Sequence, residues 1–251
     1  MDNYATGNQD WTQIGENMFN QQKATESIMT KAINRHLRKV YAALAATALF
    51  AIIGTVFQMQ YGLFNTTLAS ITCFAFIILN TYQYVTGVLH STRVYTLLGF
   101  GFFSGVEIAE LVSSVLDMDP MIVVHSLVGT LIVFGSFSGI ALVAKRKEYL
   151  YLGSMLFSVL NFFMWMSLFN LFIGSTIVVP QIYLYGGLIV FGLFVIYDTQ
   201  MIIEKAANGS TDYITHAMEL FIDLMAIFVR IMIILAKNSG KKEKKEKKSA
   251  H

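Results

Sequence analysis

Two aspartates, Asp198 and Asp223, each lie inside one of the last two hydrophobic stretches of this 251-residue chain, YGGLIVFGLFVIYDTQMII and HAMELFIDLMAIFVRIMIILA. A carboxylate at bilayer depth costs roughly 2.5–3.5 kcal/mol, so by default it marks a functional site. A short polar turn joins the two stretches, and the acids can face each other across an antiparallel hairpin. Two carboxyls in one low-dielectric site cannot both ionise easily, so they hold one proton between them. That makes a two-state device. Protonated, the pair hydrogen-bonds and holds neighbouring helices shut; deprotonated, it repels itself or offers oxygen ligands to a passing Ca²⁺. A paired-acid hydrolase is a further chemistry open to two such groups.

The turn centres on Asn208 and Gly209, the strongest helix breakers between the stretches. Asp198 is then about ten residues from it and Asp223 about fourteen, a depth difference of only ~6 Å at helical rise. Glu219 is more nearly level with Asp198 and is a rival partner. Helical periodicity puts His216, Glu219, Asp223 and Arg230 within an arc of roughly 60°, on a helix otherwise made of Leu, Ile, Phe, Met and Ala. So narrow a polar stripe is expected to face the bundle interior or a water-filled path, with Arg230 able to pair with an acid in one state. The bland alternative for Asp198 is a hydrated carboxylate near the membrane interface, since its stretch ends about five residues later.

The elements that must position these residues follow from composition. The chain is 55% hydrophobic and only 14% charged, against about 25% charged for a soluble domain. An all-α, polytopic membrane protein is predicted. About 20 apolar residues cross the ~30 Å hydrocarbon core, and seven such stretches are legible, at about 40–60, 66–89, 94–116, 121–143, 149–172, 182–203 and 214–236. Three regions result: a polar, mobile tail over 1–30, a transmembrane domain over 31–236, and a Lys-rich tail over 237–251 too charged to bury a core. The polar start is not a cleavable signal peptide, so the first spanning helix is expected to direct insertion. Nothing in the charge pattern calls for a nucleic acid.

Lys31, Arg35, Arg38 and Lys39 precede the first span, which places the N-terminus in the cytoplasm. Arg93, Lys145, Arg146 and Lys147 agree with that orientation. The tail Lys241, Lys242, Lys244, Lys245, Lys247 and Lys248 conflicts with it, because seven full spans would put these lysines outside. Either the last hairpin is only partly inserted or the tail crosses despite its charge. Cys73, the only cysteine, excludes an intrachain disulfide and a cysteine metal site. Glu107 and Glu110 lie three apart on one face of the third stretch, as an extension of the acidic path or as interfacial groups. Gly101 and Gly105 have the spacing that admits a close helix neighbour. Asn80, Gln83, Asn161 and Asn170 are expected to make interhelical hydrogen bonds, and His90 and His125 to be solvated near helix ends.

From about Leu37 to Lys248 the chain resembles the transmembrane Bax inhibitor motif family. The residues that carry this are HLRKVYAALAA, YLYLGSMLFS and above all YDTQMIIEKAANGSTDYITHAMELFIDLMAIF. The resemblance implies an endoplasmic reticulum membrane protein that restrains stress-induced cell death and acts as a pH-sensitive Ca²⁺ leak, with six helices around the last one. It implies that Asp198 of YDTQ and Asp223 of FIDLM form the proton sensor, and that Ca²⁺ is a permeant ion, with no cofactor. It further implies anti-apoptotic Bcl-2-type proteins and ER-stress sensors as partners, and lipid or protein contacts for the Lys-rich tail. The third helix departs from the family: where members read Gly-x-Gly-Pro, this chain reads GVEIAEL. The tail also lacks a strict dilysine signal, because Ser249 stands where a lysine is needed. An intramembrane aspartyl protease shares the Tyr-Asp element, but Phe221-Ile222-Asp223 replaces its Gly-x-Gly-Asp. Its proline element is missing too, Pro120 and Pro180 being the only prolines. The chain is therefore expected not to be an enzyme; an adaptor without conduction is the nearer alternative.

Overall fold

The computed structural model describes residues 5–145, 147–173 and 182–249, with side chains described over 13–145, 147–166 and 182–240. Regular structure in those residues is helical throughout: α1 (Ala5–Tyr61), α2 (Thr66–Val85), α3 (His90–Met118), α4 (Pro120–Val143), α5 (Leu152–Ile173), a π-helical turn (Ile182–Gly186), α6 (Gly187–Ala207) and α7 (Tyr213–Ser249). Local chemistry sets the boundaries. Asn65 caps α2 by accepting from the Thr67 amide at 2.8 Å. Asp119 caps α4 by accepting from Met121 at 2.9 Å, with Pro120 in the first turn where its missing N–H costs nothing. The α6–α7 turn falls where the sequence places it, with Gly209 at φ +88°, a conformation that a side chain disfavours.

The first helix is longer than expected. Residues 5–30, read as a mobile tail, continue α1 without a break. This stretch contains no proline, and extending an existing helix adds one hydrogen bond per residue fixed. Side chains 13–28 are nonetheless exposed, so the extension adds nothing to the core.

The core is built on α7. Ile214, Ala217, Leu220, Phe221, Ile227 and Met232 are fully buried, and the helix packs against α1, α3, α4 and α6. It runs the length of α3, from Tyr213, whose ring stacks on His90 at 5.7 Å, to Gly240 beside Met118. The α6–α7 hairpin therefore runs the full length of α3. Its turn lies at the end of the bundle that carries Lys39, Arg93 and Lys147, while α7 delivers its lysines to the opposite end.

Five helical segments, α1 from Gln13, α2, α3, α4 and the π-turn with α6, are long and apolar enough to cross a membrane. α7 carries Glu219, Asp223 and Arg230 within its apolar run, which is why length and hydropathy alone do not single it out. Outward-facing Phe74, Ile78, Leu131 and Ile132 are each more than 60% exposed. Water would reject so continuous an apolar surface, and acyl chains match it.

The glycine spacing in α3 brings α1 into contact. Gly101 lies on Thr47 and Gly105 on Ala51, and a Cβ on either glycine would overlap a backbone carbonyl of α1. Thr55 locks the crossing by sharing its hydroxyl between the carbonyls of Ala51 and Gly105, both at 3.0 Å. Since neither backbone can yield cheaply, Gly105→Val is expected to destabilise the bundle by on the order of 3 kcal/mol. The measurement is thermal unfolding of the purified protein in detergent. An unchanged midpoint would mean that the helices can part without cost.

Candidate functional site

Asp198 on α6 and Asp223 on α7 face each other across the hairpin within side-chain reach and line one cleft. Asp223 is only 4% exposed, whereas Asp198 is half-buried. A bond between two carboxyls requires a proton on one of them. With both groups ionised, the buried Asp223 Oδ2 has no hydrogen-bond partner among the described residues. A shared proton or a bound cation removes that deficit, and an unsatisfied buried acceptor is costly. Glu219 acts on both aspartates through space. Glu219 therefore shares the site with the aspartate pair.

All three acids line a cleft of about 330 Å³ between α5, α6 and α7. Phe157 and Leu160 of α5 and Phe191, Phe194 and Met201 of α6 supply its apolar wall. Low-dielectric walls strengthen every charge interaction inside. Lys205, also of α6, lines the same cleft. Among the described residues no three His, Cys, Asp or Glu side chains converge into a cage for a metal ion. The aspartate pair could offer a passing Ca²⁺ oxygen ligands, but it falls short of the six to eight that a resident Ca²⁺ takes.

The rest of the α7 stripe divides between different neighbours. His216 turns to α1, where its Nδ1 lies 3.0 Å from Nε2 of His36; both rings are buried. Arg230 sits near the start of α6, its guanidinium 4.4 Å over Phe191 and donating to the Ala226 carbonyl at 2.9 Å. No described carboxylate forms an ion pair with it. Glu107 accepts from Ser70 at 2.8 Å and Glu110 from Thr66 at 3.1 Å, so both acids face the N-terminal end of α2 and not the aspartate cleft. The side chains of the six tail lysines and of Arg146 and Asn170 lie outside the described residues. Asn161 bonds to Phe157 of its own helix rather than across helices, whereas Gln83 accepts from Thr96 of α3 at 2.9 Å.

A second polar cluster escaped the reading of the sequence. Arg93, taken there as a topology signal, is 2% exposed and forks onto Asp212 at 2.8 and 3.1 Å. It also reaches Asn80 at 3.0 Å and Thr215 at 2.8 Å, so one guanidinium ties α2 and α3 to the head of α7. Asp212 accepts from the Thr215 amide as well, at 3.4 Å. Its place just before an apolar helix was a legible capping signal. The signal for Lys205 was legible too, because it lies seven residues after Asp198 and hence on the same face of α6.

A helical bundle in which two aspartates and a glutamate of the last two helices share one cleft defines a polytopic membrane protein with acidic side chains set among its apolar helices. The family follows from comparison with known proteins. Residues 33–240 match the family described as Inhibitor of apoptosis-promoting Bax1. The chain is 36% identical to Bax inhibitor 1 of Drosophila melanogaster over 218 residues, covering 86% of this chain and 88% of that protein. It is 35% identical to Bax inhibitor 1 of Arabidopsis thaliana over 217 residues, with 86% of each covered. With Bax inhibitor 1 of Homo sapiens it shares 38% identity over 225 residues, covering 88% of this chain and 93% of that one. The chain belongs to this family of anti-apoptotic, multi-pass membrane proteins.

Proposed function

We propose that the protein is a Ca²⁺ leak of the endoplasmic reticulum membrane, gated by the protonation state of Asp198 and Asp223, and that it restrains stress-induced cell death by this route. The observation that carries the reading is the buried Asp223 Oδ2, without a hydrogen-bond partner among the described residues, set beside Asp198 in a cleft between three helices. Such a group asks for a proton or a cation, and exchange between the two is a gate. The reading is of a conducting protein and not an enzyme: Ca²⁺ is the permeant ion and no cofactor is required. Purified protein in liposomes should pass Ca²⁺ at a rate that depends on pH. Protein-free leak rates at every pH would overturn the proposal.

The C-terminal extension of α7 favours a second, compatible role. Its backbone continues as helix to Ser249, carrying six lysines against Glu243 and Glu246. We place this segment on anionic lipid headgroups, at about 1 kcal/mol per basic residue near the surface. Bcl-2-type proteins and ER-stress sensors are the protein partners implied by the family resemblance. Deleting residues 241–251 is expected to weaken co-sedimentation with phosphatidylserine vesicles at least tenfold while Ca²⁺ flux persists. Equal vesicle binding with and without the tail would remove it from this role.

A further inference from the structure

Lys205 touches two cavities. It lines the acid cleft with Asp198, Glu219 and Asp223, and it lines a larger cavity of about 730 Å³ under the α2–α3 and α6–α7 connections. That second cavity opens at the end of the bundle where the hairpin turns, and Tyr84, His90, Arg93 and Asp212 also contribute to it. The charges around Lys205 are already committed. Arg93 is held by Asp212 at 2.8 Å, and the neighbouring Glu204 is held by Lys147 at 3.2 Å. Lys205 itself makes no direct ion pair among the described residues, yet it interacts through space with Asp198 and Glu219. Asp223 lines the same cleft, and its buried Oδ2 has no hydrogen-bond partner among the described residues.

We propose that Lys205 is the tethered counter-cation of the acid cleft: its ammonium stands between the outer cavity and the three carboxyls, and a divalent cation takes the site only by displacing it. A lysine suits that post because a compact ammonium on a flexible stem can swing between two cavities, which a guanidinium forked onto a carboxylate does not do. In a low-dielectric cleft its positive charge opposes any second cation there. Lys205 thereby sets how tightly the cleft holds Ca²⁺, and it screens the acids from cations arriving through the outer cavity. The inference rests on the cation reading proposed above.

The test uses the full-length protein in nanodiscs of neutral lipid, titrated with CaCl₂. The Lys205 ammonium is followed by NMR of reductively ¹³C-methylated lysines, with Lys205→Arg identifying its resonance. Three results are expected. Asp223→Asn shifts the Lys205 resonance in the absence of Ca²⁺, and Ca²⁺ shifts it in the unsubstituted protein. Lys205→Met, which keeps the length of the side chain and removes its charge, tightens half-saturation by Ca²⁺ about tenfold, while Lys205→Arg stays near the unsubstituted value. A Lys205 resonance indifferent to both Asp223→Asn and Ca²⁺ overturns the proposal, as does an unchanged half-saturation in Lys205→Met. If Ca²⁺ binds neither the unsubstituted protein nor Lys205→Met, the leak reading fails. The response of Lys205 to Asp223→Asn then still decides whether the ammonium is the counter-charge of the acids.

Discussion

Replacing Asp223 by asparagine is expected to flatten the pH profile of Ca²⁺ flux in liposomes and to weaken Ca²⁺ binding at neutral pH about tenfold or more. Asparagine keeps the size of the side chain and an oxygen acceptor, so packing around α7 is preserved. What it removes is the ability to gain and lose a proton, and with it the second negative charge of the pair. A charge-assisted contact is worth roughly 1.5–3 kcal/mol, and each ~1.4 kcal/mol is a factor of ten in affinity. The amide also donates to Asp198 permanently, so the hydrogen bond that needed a proton in the pair no longer does. The D223N variant is thereby held in the closed, hydrogen-bonded arrangement without needing a proton on the pair. Asp198→Asn should act in the same direction but less strongly, because Asp198 is half-buried where Asp223 is 4% exposed. If both variants retain the pH slope of the unsubstituted protein, the pair is not the sensor, whatever else conducts.

Replacing Arg93 by glutamine is expected to cost about 3–5 kcal/mol of stability, because it strands the buried Asp212 carboxylate. On the scale of a chain this long that lowers the melting midpoint by about 10 °C. The pH dependence is the sharper signature. Burial alone would raise the Asp212 carboxyl, but hydrogen bonds from Arg93 and Thr215 and the guanidinium charge more than offset it and hold it below its ordinary 3.8. The unfolded chain then takes up this proton first as the pH falls. The contribution of the pair is complete above the ordinary carboxylate value and is lost as the pH drops through the lower, native one. Without the guanidinium only the Thr215 hydrogen bonds oppose burial, the largest single influence on this group, and the native carboxyl is expected to move above its ordinary value. The sign reverses: the R93Q variant gains stability as the pH is lowered from neutral, over a range where the unsubstituted protein is flat. A double variant, Arg93→Met with Asp212→Asn, removes both charges and should recover part of the loss. Parallel pH curves for R93Q and the unsubstituted protein would show that Asp212 does not depend on Arg93.

Much of this was legible in the chain because lipid is a demanding solvent. An apolar run in a bilayer must close its own backbone hydrogen bonds, so length and hydropathy were enough to find helices. The cost of a buried carboxylate was enough to single out Asp198 and Asp223. The turn at Gly209 and the close approach at Gly105 could be read because glycine takes a positive φ at no steric cost and leaves room for a backbone contact. Side-chain direction was harder to read. The stripe His216, Glu219, Asp223 and Arg230 was found correctly as a shared face, but a 60° arc spans more than one neighbour. His216 ended against His36 of α1 and Arg230 against Phe191 of α6. Glu107 and Glu110 looked like a continuation of the acidic path, and they face hydroxyls of α2 instead.

The sequence by itself determined that this is a helical membrane bundle, that two acids are buried near its last turn, and which family it belongs to. Each of these depends on the transfer cost of individual residues or on the order of residues along the chain, and neither needs a partner to be known. Only the tertiary structure decided that Asp198, Glu219 and Asp223 share one cleft with Lys205, and that Arg93 is a buried tie rather than a loop charge. Those outcomes rest on distances between residues far apart in the chain. Arg93 and Asp212 are 119 residues apart and meet at 2.8 Å; His36 and His216 are 180 apart and meet at 3.0 Å. Helical periodicity fixes the direction of a side chain relative to its own helix. Which helix stands opposite is set by the packing of all of them around α7.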